Sequence, residues 1–230
     1  MQIAIVGATG TVGAQTARVL AARGHGVRKL PVDLRDGSGL AATLDGVDVV
    51  IDAAQGNRRT LVDGTTRLLR AAAQAGVGHH VGISIVGVDR VGGRYYRAKL
   101  AQEDRIRRSG LPWTIVRTTQ FHALVARAFA ASARLGVVPS AGALLQPVDP
   151  REVARVLADT AEAEPSHAIT QFAGPEVLSV GELARRWRRC TGSRALPLRL
   201  PVSPVLRAGA LTNPGAWRGR VTFDSWLAAS

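Results

Sequence analysis

The feature that most constrains the fold is a glycine-rich turn between a short apolar run and a helical pattern. The run 2–6 ends at Gly7, and the turn continues as Ala8-Thr9-Gly10-Thr11-Val12-Gly13. Residues 11–23 place apolar side chains at helical spacing, and Gly24 stands where a helix C-cap glycine belongs. A strand is expected at 26–30, so the start of the chain predicts strand, turn, helix and strand.

This turn has the composition of a phosphate-binding loop. Backbone N–H groups at a helix N-terminus bind a pyrophosphate when no side chain stands in the way. Gly7 permits the tight turn, Gly10 lets the backbone approach the phosphates, and Gly13 lets the helix pack closely on the strand. The alternative is a glycine turn without a ligand. The preceding strand and the following helix favour dinucleotide binding, with contacts expected from Gly7, Thr9, Gly10, Thr11, Val12 and Gly13.

The rest of the chain alternates strand and helix patterns. Strands are predicted at 47–53, 81–86, 113–117 and 168–172, and helices at 60–75, 98–108 and 121–135. Two more helices open with capping boxes, one from Asp149 to Glu152 and one from Ser179 to Glu182. The alternation predicts an α/β fold with a doubly wound, Rossmann-type parallel sheet.

One part of that pattern is short. Residues 31–39 leave no room for a helix, and 40–44 allow only a short one, whereas a parallel crossover needs a dozen residues or more. The usual third strand and its helix are therefore expected to be shortened or absent. Residues 1–138 are expected to form the dinucleotide-binding core. Residues 139–230 would complete the sheet and add a small C-terminal lobe, all as one structural unit.

Composition narrows the class of protein. The net charge is +13, but the arginines are scattered and no nucleic-acid-binding signature accompanies them. This favours a solvated arginine-rich surface and no nucleic-acid partner. Cys190 is the only cysteine, which excludes an intramolecular disulfide and fits a cytoplasmic protein. No stretch approaches the roughly 20 apolar residues of a membrane span, so no membrane partner is expected.

A family resemblance covers nearly the whole chain. The Gly-x-x-Gly-x-x-Gly spacing is similar to that of the extended and atypical short-chain dehydrogenase/reductases, and within them the chain resembles the NmrA-like NAD(P)-binding proteins. The segments that carry the resemblance are 7–13, 76–81, 95–103, 113–121, 146–148 and 222–227. The resemblance implies NAD(P)(H) bound at the glycine turn and a sheet with the strand order of that family.

Tyr95 and Lys99 are the candidate catalytic pair. They are four residues apart, which places both side chains on one face of a helix. In the resembling family such a tyrosine donates a proton to the substrate carbonyl, while the lysine lowers the tyrosine pKa and bonds the nicotinamide ribose. Ser84 matches the position of that family's substrate-orienting serine.

The same residues have a structural interpretation. Tyr95 could simply pack, and Ser84 could be satisfied by the backbone. Lys99 is one of two lysines in an arginine-rich chain, which favours a role that guanidinium does not fill. Against a complete catalytic set, Arg67 stands where conventional members carry an asparagine.

The dinucleotide is less sharply defined than the loop. An acid after the second strand is typical of NAD sites, and a basic residue is typical of NADP sites. Asp33 fits the first rule and Arg28 the second. In the resembling family a pair such as Asp33-Leu34 lies against the adenine. The local excess of positive charge favours NADP(H), and Ala53 and Ala54 are expected to contact the cofactor as well.

Gln120, Phe121 and His122 follow the strand at 113–117 and, in the resembling family, line the substrate pocket. A lone histidine is nevertheless more often structural than an acid or base. No cluster has metal-ligand spacing, so no metal is expected.

Two functions are favoured by these patterns, and a third, weaker interpretation is an arginine-rich enzyme that docks to an acidic partner or carrier. One is an NAD(P)H-dependent oxidoreductase acting on a small apolar carbonyl, enone or quinone. The other is a non-catalytic NAD(P)-binding redox sensor. The Tyr95/Lys99 pair favours the enzyme. The expected partner is a small-molecule substrate, and a homodimer is a candidate assembly.

Overall fold

The computed structural model describes residues 1–30 and 40–230. Its central feature is a parallel sheet of seven strands in the order β2-β1-β3-β4-β5-β8-β11. These strands are β1 Gln2–Val6, β2 Gly26–Leu30, β3 Val49–Asp52, β4 His79–Ile85, β5 Trp113–Thr118, β8 Ile169–Ala173 and β11 Trp217–Arg218. The predicted α/β fold with a Rossmann-type parallel sheet is confirmed.

Helices connect the strands, as the sequence pattern predicts. They are α1 Thr11–Ala22, α2 Leu40–Thr43, α3 Thr65–Gln74, α4 Arg94–Arg107, α5 His122–Ala133, α6 Pro150–Glu162, α7 Val180–Thr191, α8 Pro204–Arg207 and α9 Phe223–Ala228. A π-helical segment, Arg59–Gly64, runs directly into α3.

The third strand and helix that the sequence predicts to be shortened or absent would lie after β2, at one edge of the sheet. Among the described residues, β2 is the edge strand beside β1, and β1 pairs on its other side with β3. In the described part of the connection to β3, the only helix is the four-residue α2. Residues 31–39, on which part of the expectation rests, lie outside the described residues.

The chain folds into two compact units, each assembled from three segments. Unit one contains residues 1–84, 92–117 and 153–170. The expected division at residue 138, with both parts in one structural unit, stays a prediction. The core of unit one is built from small aliphatic side chains of the strands and of α2 to α4, including Val6, Val50, Leu68 and Ile115. This core packs β1, β2, β3 and β5 against α2, α3 and α4.

Unit two contains residues 85–91, 118–152 and 171–230. Its two-stranded sheets pair β6 Val137–Ser140 with β10 Leu196–Arg199, and β7 Leu144–Leu145 with β9 Leu178–Ser179. Its core brings Phe129 on α5, Trp187 on α7 and Phe223 on α9 together.

The two predicted capping boxes differ in outcome. Ser179 and Glu182 cap each other reciprocally, as predicted. At α6 the prediction of a box is wrong. The carboxylate of Asp149 accepts from the N–H of Arg151, but the Glu152 side chain accepts from the N–H groups of Arg220 and Val221 instead. Glu152 is drawn away because that backbone segment offers it two donors.

Candidate active site

The glycine turn adopts the conformation that its sequence predicts. Gly7 has a φ of 76°, and a Cβ there would lie 2.7 Å from the carbonyl oxygen of Ala53. Gly10 donates its N–H to the Gly7 carbonyl at 2.9 Å. A Cβ on Gly13 would lie 2.2 Å from that same oxygen, far inside van der Waals contact. Position 7 therefore requires glycine for both its left-handed conformation and its close packing. Position 13 requires glycine for close packing alone.

The N-terminus of α1 is arranged for an anion. Gly10 is the N-cap, no side chain caps the first N–H groups, and the first turn carries no acidic residue. Neither a capping side chain nor a first-turn carboxylate therefore neutralises the positive end of the α1 dipole. Thr9 and Gly10 are exposed, whereas Val12 is buried. These features fit a dinucleotide pyrophosphate, while individual contacts from Thr9, Thr11 and Val12 stay predictions.

The other residues predicted to contact the cofactor lie at the end of β3, on β2 and in the segment that follows β2. Ala53 and Ala54 are buried at the end of β3 beside the turn, since the Cβ position of Gly7 is 3.4 Å from the Ala54 nitrogen. Arg28, on β2, donates from Nη1 to the carbonyl of Thr43 and, at 2.9 Å, to that of Asp45. A guanidinium has five N–H donors, so a phosphate contact would use the others. Asp33 and Leu34 lie outside the described residues.

Lys99 is the most deeply buried cation of the site, with 1% of its surface exposed. Its ammonium group donates to the carbonyls of Ala54 at 3.3 Å and Ile83 at 3.1 Å, and to Oε1 of Gln102 at 3.0 Å. All three N–H donors of the ammonium thus have acceptors. Burial lowers the pKa of Lys99 to about 8, against the opposing pull of the Asp52 and Glu103 carboxylates. Lys99 joins the ends of β3 and β4 to α4.

A network behind Lys99 is absent from the sequence predictions. Gln102 donates to Oδ2 of Asp52 at 3.0 Å, and the hydroxyl of Thr65 donates to the same oxygen at 2.8 Å. The other carboxylate oxygen of Asp52 accepts from the N–H of Ala54 at 3.1 Å. Two sequence signals could have revealed this network: an aspartate closing an otherwise apolar strand, and a glutamine three residues after Lys99 on one helix face. The network holds the Lys99 ammonium in place.

Tyr95 lies in the first turn of α4 and is 38% exposed. Its hydroxyl donates to Oε1 of Gln55, in the loop after β3, at 2.7 Å. Partial burial raises the pKa of Tyr95, and Tyr96 raises it further. The family resemblance implies that Lys99 lowers this pKa. The structure differs, because the Lys99 ammonium is directed at two backbone carbonyls and Gln102.

Ser84 lies near the end of β4 and is buried. Its hydroxyl oxygen has no hydrogen-bond partner within residues 1–30 and 40–230. An unsatisfied buried hydroxyl is unfavourable, so a ligand oxygen at this point would be stabilised. Ser84, Tyr95, Lys99 and the glycine turn all belong to unit one.

Gln120, Phe121 and His122 belong to unit two, where protein groups satisfy much of their polarity. Gln120 donates to the carbonyl of Leu211 and accepts from the N–H of Gln146. His122 is buried, bonds the carbonyl of Val221 at 3.0 Å, and has its pKa lowered by burial. Phe121 is the half-buried N-cap of α5. A substrate role for these three stays a prediction, and the placement of His122 favours packing.

A cleft of about 560 Å³ lies in unit one beside Tyr95. Its lining consists of Gly56, Asn57, Arg58, Arg94, Tyr95, Arg97 and Ala98. The volume falls in the range of small-molecule sites. Among the described residues, no group of three or more histidine, cysteine, aspartate or glutamate side chains could hold a metal ion. No helix in the same residues is long and apolar enough to cross a membrane.

The glycine turn, the parallel sheet and the uncapped α1 N-terminus together define a Rossmann-type dinucleotide-binding protein. The family model for NAD(P)H-binding proteins matches residues 26–164. A reductase from Streptomyces griseus subsp. griseus, named for (4-alkanoyl-5-oxo-2,5-dihydrofuran-3-yl)methyl phosphate, is 32% identical over 221 residues, covering 86% of this chain and 75% of the relative. The chain therefore belongs to the NAD(P)H-binding family.

Solved structures support the same fold at low sequence identity. The NADPH-dependent quinone oxidoreductase of Escherichia coli, complexed with NADPH, superposes with a TM-score of 0.78 at 18% identity, covering 99% of both chains. A nucleoside-diphosphate-sugar epimerase from Staphylococcus aureus gives a TM-score of 0.78 at 14% identity, covering 99% of this chain and 100% of that one. At these identities the similarity concerns the fold alone.

Proposed function

We propose that this chain is an NAD(P)H-dependent reductase of a small conjugated acceptor, an enone, quinone or related carbonyl compound, with Tyr95 as the proton donor. Membership of the NAD(P)H-binding family and a relative named as a reductase make the chain an NAD(P)H-dependent oxidoreductase and disfavour the sensor alternative. The observation that carries the assignment of Tyr95 is its position in the wall of the cleft, one helical turn before the buried Lys99.

The relatives support a conjugated acceptor. The name of the Streptomyces griseus relative describes an unsaturated lactone with an acyl substituent and a phosphate group, and the Escherichia coli neighbour is named a quinone oxidoreductase. In both kinds of acceptor, hydride addition at carbon leaves negative charge on a carbonyl oxygen. A donor at that oxygen stabilises the transition state.

The bound dinucleotide supplies the hydride, and the chain's own residues handle the oxygen. Tyr95 has a raised pKa, so its phenol stays protonated at neutral pH and can give its proton to the developing oxyanion. Ser84 offers a buried hydroxyl without another partner among the described residues. Lys99 positions the ends of β3 and β4 and keeps positive charge close to the site.

NADPH is the proposed reductant. The support is the cationic sequence around β2, where Arg28 uses only Nη1 for its bonds to Thr43 and Asp45 among the described residues. Asp33, the acidic residue that would favour NAD, lies outside the described residues. A kcat/KM for NADPH above that for NADH would support this preference, and the reverse order would contradict it.

Tyr95→Phe tests the proton-donor role. Removing the hydroxyl is expected to lower kcat about a hundredfold, which is the usual scale of one general acid. The Kd for NADPH should change little, because the rest of the side chain remains. The measurement follows NADPH oxidation by absorbance with a panel of quinones, enones and ketones, and a fluorescence titration gives the Kd.

Tyr96→Phe is the matched control. Tyr95 and Tyr96 are the only tyrosines, and their rings contact each other edge to face with centroids 5.9 Å apart. The cleft lining includes Tyr95 but not Tyr96. The control should keep kcat within about twofold of the wild type, as a substitution outside the reacting groups does. An unchanged kcat in Tyr95→Phe, or equal losses in both variants, would overturn the assignment of Tyr95.

A further inference from the structure

The lining of the cleft in unit one carries an unusual concentration of positive charge. Of its seven lining residues, Arg58, Arg94 and Arg97 are arginines, and none is acidic. Arg58 comes from the loop before the π-helical segment, while Arg94 and Arg97 lie three residues apart on α4. Two segments distant in the sequence thus place guanidinium groups around one cavity.

The guanidinium groups of Arg58, Arg94 and Arg97 differ from the ion-paired arginines elsewhere in the described structure. Within residues 1–30 and 40–230, Arg58, Arg94 and Arg97 form no ion pair with a carboxylate. By contrast, Arg117 in the same unit forms a bidentate ion pair with Glu103, with hydrogen bonds of 2.9 and 2.7 Å. Like charges around a cavity repel each other, so an arrangement of this kind is stabilised by an anion.

The backbone of α4 adds to the positive potential around the cleft. Helix α4 begins at Arg94, and its N-cap Gly93 provides no side-chain cap for the first N–H groups. The first turn holds no acidic residue either. Tyr95 and both α4 arginines therefore lie at the positive end of a 14-residue helix.

We propose that Arg58, Arg94 and Arg97 form a subsite that binds a phosphate monoester group of the substrate and so holds the acceptor carbon and oxygen beside Tyr95. Arginine is suited to this because its planar N–H donors match phosphate oxygens in pairs. The inference rests on the proposed function, since the substrate is the molecule that Tyr95 protonates. The competing source of the same chemistry is a phosphate of the dinucleotide. The substrate is favoured because Tyr95 lines the same cavity as the three arginines.

Direct binding tests the subsite without relying on turnover. Phenyl phosphate is titrated calorimetrically into the NADPH-saturated protein, with benzyl alcohol as the neutral comparison ligand. The wild type is expected to bind phenyl phosphate and not the alcohol. Arg94→Gln/Arg97→Gln should raise the Kd for phenyl phosphate about tenfold or more, because each charge-assisted bond contributes substantially. The Kd for NADPH alone should stay within about twofold.

Arg107→Gln is the matched control. Arg107 is an exposed arginine on the same helix, ten residues or about 15 Å beyond Arg97 along the axis. This variant removes one charge from α4 without touching the cleft and should leave the Kd for phenyl phosphate nearly unchanged. Equal weakening in Arg107→Gln would show a general charge effect and overturn the subsite. Equal weakening of NADPH and phenyl phosphate in the double variant would assign the arginines to the cofactor and overturn it too.

Steady-state turnover tests the subsite independently of the calorimetric binding experiment. 1,2-Naphthoquinone-4-sulfonate and 1,2-naphthoquinone differ by one anionic group. The double variant should raise KM for the sulfonate about tenfold and leave KM for the neutral quinone almost unchanged. If phenyl phosphate binds through the arginines but no acceptor is reduced, the proposed function fails and the anion site stands. If acceptors are reduced but the wild type binds no phenyl phosphate, the subsite alone fails.

Discussion

Gly13→Ala is expected to destabilise the fold by about 3 kcal/mol or more and to weaken NADPH binding by about a hundredfold. The added Cβ would lie 2.2 Å from the Gly7 carbonyl oxygen and 2.8 Å from its carbonyl carbon. Both atoms belong to the backbone of the tight turn, so no flexible side chain can move aside. The turn must open, and the α1 N–H groups then move away from the proposed pyrophosphate position. Chemical denaturation measures the stability, and fluorescence titration measures the affinity.

Two further glycine variants separate folding from binding. Gly24→Ala lies beyond the other end of α1, where φ is 84° and an added Cβ meets nothing within 4 Å. It should cost about 1 kcal/mol through left-handed strain and leave NADPH affinity intact. Gly10→Ala places its Cβ 3.2 Å from the Gly7 oxygen, so the fold should survive while affinity falls. Full NADPH affinity in both Gly10→Ala and Gly13→Ala would contradict the assignment of the turn to the pyrophosphate.

The glycine turn could be predicted because its requirements are local. A strand, a residue in left-handed conformation and a helix packed closely on that strand follow one another within about a dozen residues, so their pattern is visible in the sequence. The same locality explains why the strand Gln2–Val6 and the helix Thr11–Ala22 lie almost where the pattern predicts them.

The start of α4 is a feature that the local sequence pattern does not predict. The sequence pattern predicts a helix from residue 98, but α4 begins at Arg94. The segment Arg94-Tyr95-Tyr96-Arg97 has little apolar periodicity, because most of it faces the cleft rather than the core. This earlier start places Tyr95 inside the helix, and it joins Arg94 and Arg97 to a cavity that Arg58 also lines.

The surroundings of Lys99 could not be derived from its spacing to Tyr95. The sequence singles out the lysine, but its acceptors come from three separated points of the chain, namely Ala54, Ile83 and Gln102. Only the packing of β3, β4 and α4 brings these groups together. The raised pKa of Tyr95 comes from its own partial burial and from Tyr96, whereas the resemblance implies a pKa lowered by Lys99.

Lys99→Met is the second change with a large expected effect. The variant leaves the buried carbonyls of Ala54 and Ile83 without their donor and deprives the Asp52 carboxylate of a nearby cation. Unsatisfied buried groups cost about 1 to 3 kcal/mol each, so the free energy of unfolding at neutral pH should fall by about 3 kcal/mol. Denaturation by urea measures the loss. Lys29→Met, at the only other lysine, is the matched control, since Lys29 is exposed on β2 and should show almost no loss.

The pH dependence of that loss tests the state of the ammonium group. The pKa of Lys99 is about 8 in the folded protein, below its ordinary value of 10.5, so between these values the unfolded chain binds more protons than the folded one. Folding therefore gains stability from Lys99 as the pH rises through 8 towards 10.5, by about 3 kcal/mol in total at about 1.36 kcal/mol per pKa unit. Lys99→Met lacks this gain, so the stability difference between wild type and variant should widen as the pH is raised from about 7 towards 10. All other ionisable groups are present in both proteins, so their contributions largely cancel in the difference. A difference that stays constant over this range would mean that the folded protein holds the Lys99 ammonium at its ordinary pKa, and that the hydrogen bonds to Ala54, Ile83 and Gln102 fully offset its burial.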